Sequence, residues 1–305
     1  MVFWLGVIAL AGAGPAAATS GGEGLGTARG GQRFGVGEIV VSYTDHRRGR
    51  SLTTVIRYPA AGNPARTDVL SAPPARSSGP FPLVVFAHGY NITPNPYAPL
   101  LRAWVQAGYV VVAPIFPYTN PGAPGGPNES DLVNQPGDVS FVISQMRIAS
   151  AQHHGILSRL IDRRQIAVSG QSDGGSTALA AAYNVNYLDH RIRAAMVMSG
   201  AYIPGVGGYD FPAGSPPLLA VQGTADTTNN PGNTYHYFGS ARSPKFLLSL
   251  LGAPHLGPYT DQQPYLGIVE RETIAFLNRY LKQQPGARGR MWKYGNVANQ
   301  ASLRT

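Results

Sequence analysis

Apolar and polar positions repeat in two distinct ways along this chain, and the period changes after about residue 80. Residues 36–43 and 51–58 alternate between the two kinds of side chain and include β-branched residues, which predicts an antiparallel hairpin. Farther along, short continuous apolar runs are typical of strands buried on both faces, and stretches with helical spacing separate them. Strands are predicted over residues 82–87, 109–115, 165–168, 192–199, 217–222 and 245–251, and helices over 96–107, 138–150, 175–182, 233–240 and 264–281.

This alternation of strands and helices predicts an α/β fold with a mainly parallel central sheet and helices on both faces. Because the signals run without a break, we expect a single domain over residues 36–283. Residues 1–18 are apolar and end on three alanines, which resembles a signal peptide and predicts a secreted protein. Residues 19–35 are predicted to be a disordered Gly-rich linker, and residues 284–305 a basic mobile tail. We expect no transmembrane segment.

Composition narrows the classes of protein and of chemistry that fit. The chain is 43% hydrophobic and 13% charged, which excludes a wholly disordered protein, and it has no cysteine, which excludes disulfides and thiolate sites. Its net charge of +9 could indicate nucleic-acid binding. The basic residues are scattered apart from a modest cluster at Arg288, Arg290 and Lys293, so we expect a solvated surface and no nucleic-acid partner. We also expect a monomer without metal or cofactor.

Residues 170–174 read G-x-S-x-G between a predicted strand and a predicted helix. In that setting the glycines permit a sharp turn that exposes the serine oxygen above the sheet edge. A serine nucleophile needs a base, and the base needs an orienting group. Asp226 follows the strand at 217–222 and His255 follows the strand at 245–251, so both are expected at the same sheet edge as Ser172. We therefore predict that Ser172 attacks, His255 moves the proton and Asp226 orients His255.

Other acids and histidines fit this role less well. Asp210, in the loop after the strand at 192–199, is the alternative to Asp226. Asp189 and His190 follow the helix after Ser172 and are expected at the opposite sheet edge. His236 is expected to be a structural residue within a helix.

Acyl transfer also needs donors for the developing oxyanion. The residue after the nucleophile supplies one donor in such elbows, which assigns the backbone N–H of Asp173, and the loop after the strand at 82–87 should supply the second from Tyr90. Gly89 would allow the backbone to approach the substrate, and His88 is expected to hold this loop in place. We expect the Asp173 carboxylate to point at the free N–H groups of its helix, and Asp173→Asn to change the rate little.

Four segments resemble, in their order, the motifs of the α/β-hydrolase superfamily: residues 86–90, 170–175, 223–226 and 253–255. Over residues 82–281 the chain looks like the lidless secreted esterases of that superfamily, which include dienelactone-hydrolase-like and chlorophyllase-like proteins and cutinases or polyester hydrolases. The resemblance implies substrate contacts at Tyr90 and Tyr202. Asp173 stands where polyester hydrolases usually carry methionine, and the disulfides common in them are absent.

Residues 200–216 are too few for the cap domain that many relatives insert, so we expect no large lid and an open cleft. Aromatic side chains are candidates for its rim: Tyr90, Tyr118, Tyr202, Tyr209, Phe211 and Tyr259. We predict a carboxylic-ester hydrolase whose candidate substrates include bulky or polymeric esters. The alternatives are a peptidase of the prolyl-oligopeptidase type, although a gating domain is missing from the sequence, and a non-catalytic binding protein on the same fold.

Overall fold

The computed structural model describes residues 33–305, so the predicted signal peptide and most of the predicted linker lie outside the described residues. The strands are β1 (Gly35–Asp45), β2 (Arg50–Ala60), β3 (Val69–Leu70), β4 (Phe81–Ala87), β5 (Val110–Ile115), β6 (Ile161–Gln171), β7 (Ile192–Met198), β8 (Leu218–Gly223), β9 (Lys245–Leu250) and β10 (Ala301–Arg304). The helices are α1 (Ala98–Gln106), α2 (Gln135–Ala151), α3 (Asp173–Tyr183), α4 (Pro231–Ser240), α5 (Gly257–Thr260), α6 (Tyr265–Tyr280) and α7 (Ala287–Gly295). Short 3₁₀ turns span Arg76–Ser78, Asn95–Tyr97 and Glu129–Asn134.

The ten strands within the described residues form one sheet in the order β10-β9-β8-β7-β6-β4-β5-β2-β1-β3. The central strands from β5 to β9 pair in parallel, whereas β1 with β2, β2 with β5, and β10 with β9 pair antiparallel. Helices α2 and α3 pack on one face, and α1 and α6 pack on the other. The predicted α/β fold with a mainly parallel sheet is therefore confirmed.

Strand β4 shows why the central strands read as continuous apolar runs. Its side chains alternate between the two faces: Leu83 and Val85 join the core layer under α2 and α3, and Val84 and Phe86 join the layer under α1 and α6. Because both faces are covered, both sets must be apolar. Burying one such side chain contributes roughly 1.5–3 kcal/mol to the stability of the fold. The packed strands thereby hold the starting points of the loops that follow them in fixed positions.

The C-terminal segment differs from its predicted state. Residues 284–305 do not form a mobile tail but continue the fold as α7 and β10, which pairs with β9 from Ala301 opposite Leu250. Met291 and Leu303 are buried. These apolar residues lie in a segment rich in basic ones, so composition hid them, yet the segment covers a sheet edge that would otherwise expose unpaired backbone groups. At the other end, β1 starts at Gly35, inside the predicted linker.

Two connections shape the region above the sheet edge. The connection from β5 to α2, residues 116–134, contains the 3₁₀ turn Glu129–Asn134. Between β7 and β8 the described chain forms neither helix nor strand, so no cap domain is inserted there. No helix within residues 33–305 is both long enough and apolar enough to cross a membrane.

Candidate active site

Ser172 lies at the turn between β6 and α3 with φ 57° and ψ −124°. A positive φ is unfavourable for a residue with a side chain and costs of order 1–3 kcal/mol, which the surrounding packing must offset. The flanking glycines allow this turn: a Cβ on Gly170 would lie 2.0 Å from the Gly174 carbonyl oxygen, and one on Gly174 would lie 2.0 Å from the Ala87 oxygen. The sharp turn places the serine hydroxyl at the N-terminus of α3.

The structure brings Ser172, His255 and Asp226 together, although 83 positions separate the first two along the chain. His255 Nε2 lies 2.9 Å from Ser172 Oγ, and His255 Nδ1 lies 2.8 Å from Asp226 Oδ2. An ionised carboxylate only accepts hydrogen bonds, so Nδ1 carries the proton and Nε2 is free to accept from the serine hydroxyl. This arrangement can remove a proton from Ser172 and stabilise the imidazolium that forms.

Asp226 is buried, and several donors surround its carboxylate. The backbone N–H groups of Thr228 and Asn229 donate to Oδ1 over 3.0 and 2.8 Å, and Gln222 Nε2 donates to Oδ2 over 3.1 Å. Burial opposes ionisation, but the hydrogen bonds from His255 and Asn229 outweigh it and hold the pKa of Asp226 below its ordinary value. The carboxylate is thus charged and fixed in one orientation toward His255.

Gln171 is a site residue that the sequence analysis missed. Its Nε2 donates to the His255 carbonyl oxygen over 3.0 Å and lies 3.2 Å from His255 Nε2, while the Tyr97 hydroxyl donates to its Oε1 over 2.7 Å. Only 1% of Gln171 is exposed. A polar side chain inside an otherwise buried strand was the available signal, since buried amides need partners.

The predicted oxyanion loop lies against the nucleophile. A Cβ on Gly89 would approach Ser172 Cβ to 3.2 Å and Gln171 Oε1 to 3.1 Å. Within residues 33–305 the backbone N–H groups of Tyr90 and Asp173 donate no hydrogen bond, so both are available to a ligand. Their part in binding an oxyanion stays a prediction, as does the substrate contact expected of Gly89.

His88 holds that loop from below, as expected. Its Nε2 accepts from the Phe116 N–H over 3.0 Å, which leaves Nδ1–H to donate to the Gly89 carbonyl oxygen over 2.8 Å. Complete burial lowers the pKa of His88 to about 4, so the ring is neutral at physiological pH. A neutral, doubly bonded histidine fixes the backbone on which the predicted second donor depends.

The Asp173 side chain departs from its prediction. No group among the described residues donates to its buried Oδ2, so the expected bonds to helix N–H groups are not made. Burial, together with the negative charge of Glu129, raises the pKa of Asp173 to about 7. The carboxyl therefore changes charge near neutral pH, directly beside the nucleophile.

The aromatic candidates divide into exposed and buried groups. Tyr90 is 38% exposed, and its hydroxyl donates to the Pro127 carbonyl oxygen over 2.9 Å. The Tyr202 ring stacks on the Tyr209 ring with a centroid distance of 4.2 Å. The predicted substrate contact of Tyr202 is therefore limited to the part of its ring that Tyr209 does not cover. Phe211 and Tyr259 are buried and cannot line a cleft rim, which corrects the prediction for both.

The competing acids and histidines lie elsewhere. Asp210 is exposed, and Asp189 pairs with Arg191. His236 packs edge-on against Tyr202. In the described part of the chain, no three histidine or carboxylate side chains are grouped so that they could hold a metal ion.

Comparison with known families now adds to this geometry. The model of the chlorophyllase family matches residues 44–208, which is more than half of the chain. The chain belongs to the chlorophyllase family. The matched region includes Ser172, Gly89 and Tyr90 but ends before Asp226 and His255. Membership confirms the resemblance to esterase-type α/β hydrolases, so this is an ester-hydrolysing enzyme.

Solved structures agree on the fold. The structure of a ferulic acid esterase from Streptomyces cinnamoneus is similar with a TM-score of 0.62. It shares 19% sequence identity, and the alignment covers 82% of this chain and 91% of that one. At this identity the likeness shows the α/β-hydrolase architecture alone. No curated protein sequence matches.

One further feature of this chlorophyllase-family chain supports the loop near Asp173. Arg50 on β2 donates through both terminal nitrogens to Asp131 over 2.7 and 2.8 Å, and through Nε and Nη2 to Asp138 over 2.7 and 2.6 Å. Asp138, in the first turn of α2, is a fully buried member of this cluster and also pairs with Arg48. The cluster fastens the 3₁₀ turn Glu129–Asn134 to the sheet. Its members are too far apart along the chain for sequence patterns to pair them.

Proposed function

We propose that this protein is a serine esterase that cleaves carboxylic esters through an acyl-enzyme. The observation that carries the proposal is the continuous relay from Ser172 Oγ through the His255 ring to Asp226, with contacts of 2.9 and 2.8 Å. Serine needs such a relay to act as a nucleophile at neutral pH.

In the first half-reaction Ser172 Oγ attacks the ester carbonyl carbon while His255 Nε2 takes the hydroxyl proton. The carbonyl oxygen becomes an oxyanion that accepts hydrogen bonds from the N–H groups of Tyr90 and Asp173. Collapse of this intermediate breaks the bond to the alcohol oxygen, which leaves with the proton from His255. Asp226 stabilises the transient imidazolium throughout.

In the second half-reaction a water molecule attacks the acyl group on Ser172, and His255 again accepts the proton. The second tetrahedral intermediate collapses, the carboxylic acid leaves and Ser172 regains its proton. Since the stretch between β7 and β8 carries no cap, we extend the proposal to esters with bulky alcohol groups, and polymeric esters are the most demanding test of it.

A chain-length series of p-nitrophenyl esters tests this function. We expect Ser172→Ala to lower kcat by about 10⁴-fold or more, as loss of a serine nucleophile does elsewhere. Ser302→Ala, an exposed serine on β10 at the far sheet edge, is the matched control and should keep full activity. Undiminished turnover in Ser172→Ala would refute the proposal.

Two further assays separate the alternatives. A non-catalytic binding protein would not react with a fluorophosphonate probe, whereas we expect stoichiometric labelling that Ser172→Ala abolishes. A prolyl-oligopeptidase-like enzyme would cleave proline p-nitroanilides, which we expect to remain intact while esters turn over.

A further inference from the structure

A half-open pocket of about 390 Å³ lies between the 3₁₀ turn Glu129–Asn134 and the loop after β7. Most of its wall is apolar: it is lined by Leu132, Val133, Ile203 and Pro204, with Glu129 and Ser130 at one end. Leu132 and Ile203 pack with Ala180 of α3 in one cluster. The pocket therefore lies along the helix that begins at the nucleophile.

Two observations place the Glu129 end of this pocket near the reacting serine. Glu129 is close enough to Asp173, the residue after Ser172, for its charge to raise the Asp173 pKa. In addition, Tyr90 donates to the carbonyl oxygen of Pro127, two residues before Glu129. The Glu129 end of the pocket thus lies on the side of Ser172 where the predicted oxyanion donors lie.

Sheet order indicates which part of an ester fits there. Asp226 and His255 follow β8 and β9, on one side of β6. The 129–133 wall of the pocket, which is the wall nearest Asp173, follows β5 on the other side of β6, and the opposite wall, Ile203 and Pro204, follows β7. The leaving oxygen must face His255, which returns the proton to it. The acyl group then projects away from His255, toward the pocket.

We propose, given the esterase function above, that this pocket binds the acyl group of the ester and selects an uncharged apolar acyl chain of medium length. Its volume is at the small end of ligand sites, so it suits one ring or a short chain. The negative charge of Glu129 in the wall disfavours an acyl chain that ends in a carboxylate. The alcohol group stays outside the pocket.

Filling the pocket tests the assignment. Val133→Trp should lower the ratio of kcat/KM for p-nitrophenyl hexanoate to that for the acetate by about tenfold, since the longer acyl chain loses its contact with the pocket wall. Val40→Trp, an exposed valine on β1 at the far end of the sheet, is the matched control and should leave this ratio unchanged. With acetate esters of ethanol and hexanol, the corresponding ratio should not change in Val133→Trp. A change confined to the alcohol series would overturn the assignment.

The effect of the Glu129 charge is tested with an acyl chain of the same length that ends in a carboxylate instead of a methyl group. The mono-p-nitrophenyl ester of adipic acid places a carboxylate where the hexanoate has a methyl group. Glu129→Gln should raise kcat/KM for the adipate relative to the hexanoate by about tenfold, and an unchanged ratio would contradict the selection by charge. Ser172→Ala abolishes turnover of every ester if the esterase function holds, so failure of that function is distinguishable from failure of the pocket.

A second, independent observation concerns Gln171. In the resting enzyme His255 Nε2 faces two donors, the Ser172 hydroxyl at 2.9 Å and the Gln171 amide at 3.2 Å. The Tyr97 hydroxyl fixes the amide by donating to Oε1, and the His255 carbonyl oxygen accepts from the other side. The N–H donor of Gln171 is therefore held at the imidazole.

Acylation changes this balance. Once Ser172 Oγ is esterified it has no proton, so it cannot donate to His255 Nε2. The Gln171 amide then remains the donor within reach of that nitrogen until water arrives. We infer that Gln171 is a positioning residue that holds the His255 ring ready for deacylation.

This role predicts a split between kinetic constants. Gln171→Met keeps the length of the side chain but has no donor, and it should slow deacylation about tenfold while acylation changes little. Then kcat and KM fall together, kcat/KM is nearly unchanged, and rapid-mixing experiments show a larger burst of p-nitrophenol. Gln152→Met, at an exposed glutamine, is the matched control.

A merely structural residue would behave differently. If Gln171→Met lowers kcat and kcat/KM by the same factor without a larger burst, the inference is wrong. Tyr97→Phe provides a second variant that keeps the amide but releases its orientation, and it should show the same split to a smaller extent. Retained labelling of both variants by a fluorophosphonate would show that the esterase machinery itself is intact.

Discussion

Glu272 on α6 is a carboxyl group that no function above uses, and its burial predicts a strong dependence of stability on pH. It is fully buried, and within residues 33–305 neither of its oxygens has a hydrogen-bond partner. Burial raises its pKa from 4.5 to about 9, so the group is protonated in the folded protein at neutral pH.

The sign and size of the effect follow from proton linkage. Between pH 4.5 and about 9 the unfolded chain has lost this proton and the folded chain has kept it. Stability therefore falls as pH rises, by about 1.4 kcal/mol per pH unit from this group alone. Across the whole interval the loss reaches about 6 kcal/mol, a large part of the 5–15 kcal/mol that stabilises a typical domain.

Urea unfolding at several pH values measures this directly. Glu272→Gln cannot ionise at this position, so the difference between its free energy of unfolding and that of the parent should increase in favour of the variant by about 2.7 kcal/mol between pH 6 and pH 8. Glu270→Gln, at a neighbouring and only partly buried glutamate, is the control, and the corresponding increase should be much smaller. A constant difference between parent and Glu272→Gln over this range would refute the reasoning.

Three other variants test the site and its supports. Arg50→Met leaves buried Asp131 without its ion-pair partner and Asp138 with Arg48 alone, and it should lower the free energy of unfolding by about 3–5 kcal/mol in urea titrations. A loss below about 1 kcal/mol would mean that the cluster contributes little to stability. Gly174→Ala drives a Cβ into the Ala87 carbonyl and should lower esterase kcat/KM by about 100-fold, since misplacement of about 1 Å has effects of that size. Gly239→Ala, with open space around it, is its control. Asp173→Asn, which the sequence alone predicted to change the rate little, should instead match the parent rate below pH 7 and exceed it above, because the parent carboxyl becomes charged beside the oxyanion only as pH passes about 7. A ratio of variant rate to parent rate that is the same at pH 6 and pH 9 would contradict this.

The sequence was sufficient for the central parallel strands and for the grouping of the reacting side chains. Short continuous apolar runs identified β6, β8 and β9, and the rule that parallel strands share one carboxyl edge brought Ser172, Asp226 and His255 together. Both steps depend on local periodicity and topology. The serine turn needed only its glycines, which are local as well.

Local sequence patterns could not predict the contacts between segments that are distant along the chain. Arg50 and Asp131 meet because β2 lies beside the 3₁₀ turn, and neither residue stands out in its own neighbourhood. Leu303 looked like an isolated apolar residue in a basic tail until β9 was seen to need an edge partner. The burial of Tyr259 and the unpaired oxygen of Asp173 likewise depend on three-dimensional packing. Secretion and a monomeric state remain predictions.

Trapping the covalent intermediate tests the central claim most directly. The protein would be mixed with p-nitrophenyl acetate, quenched within milliseconds in acid, digested and analysed by peptide mass spectrometry. The account predicts one acetylated peptide, the one that contains Ser172, and no acetylation when His255 is replaced by alanine. Acetylation at another residue, or ester turnover with Ser172 never modified, would contradict it.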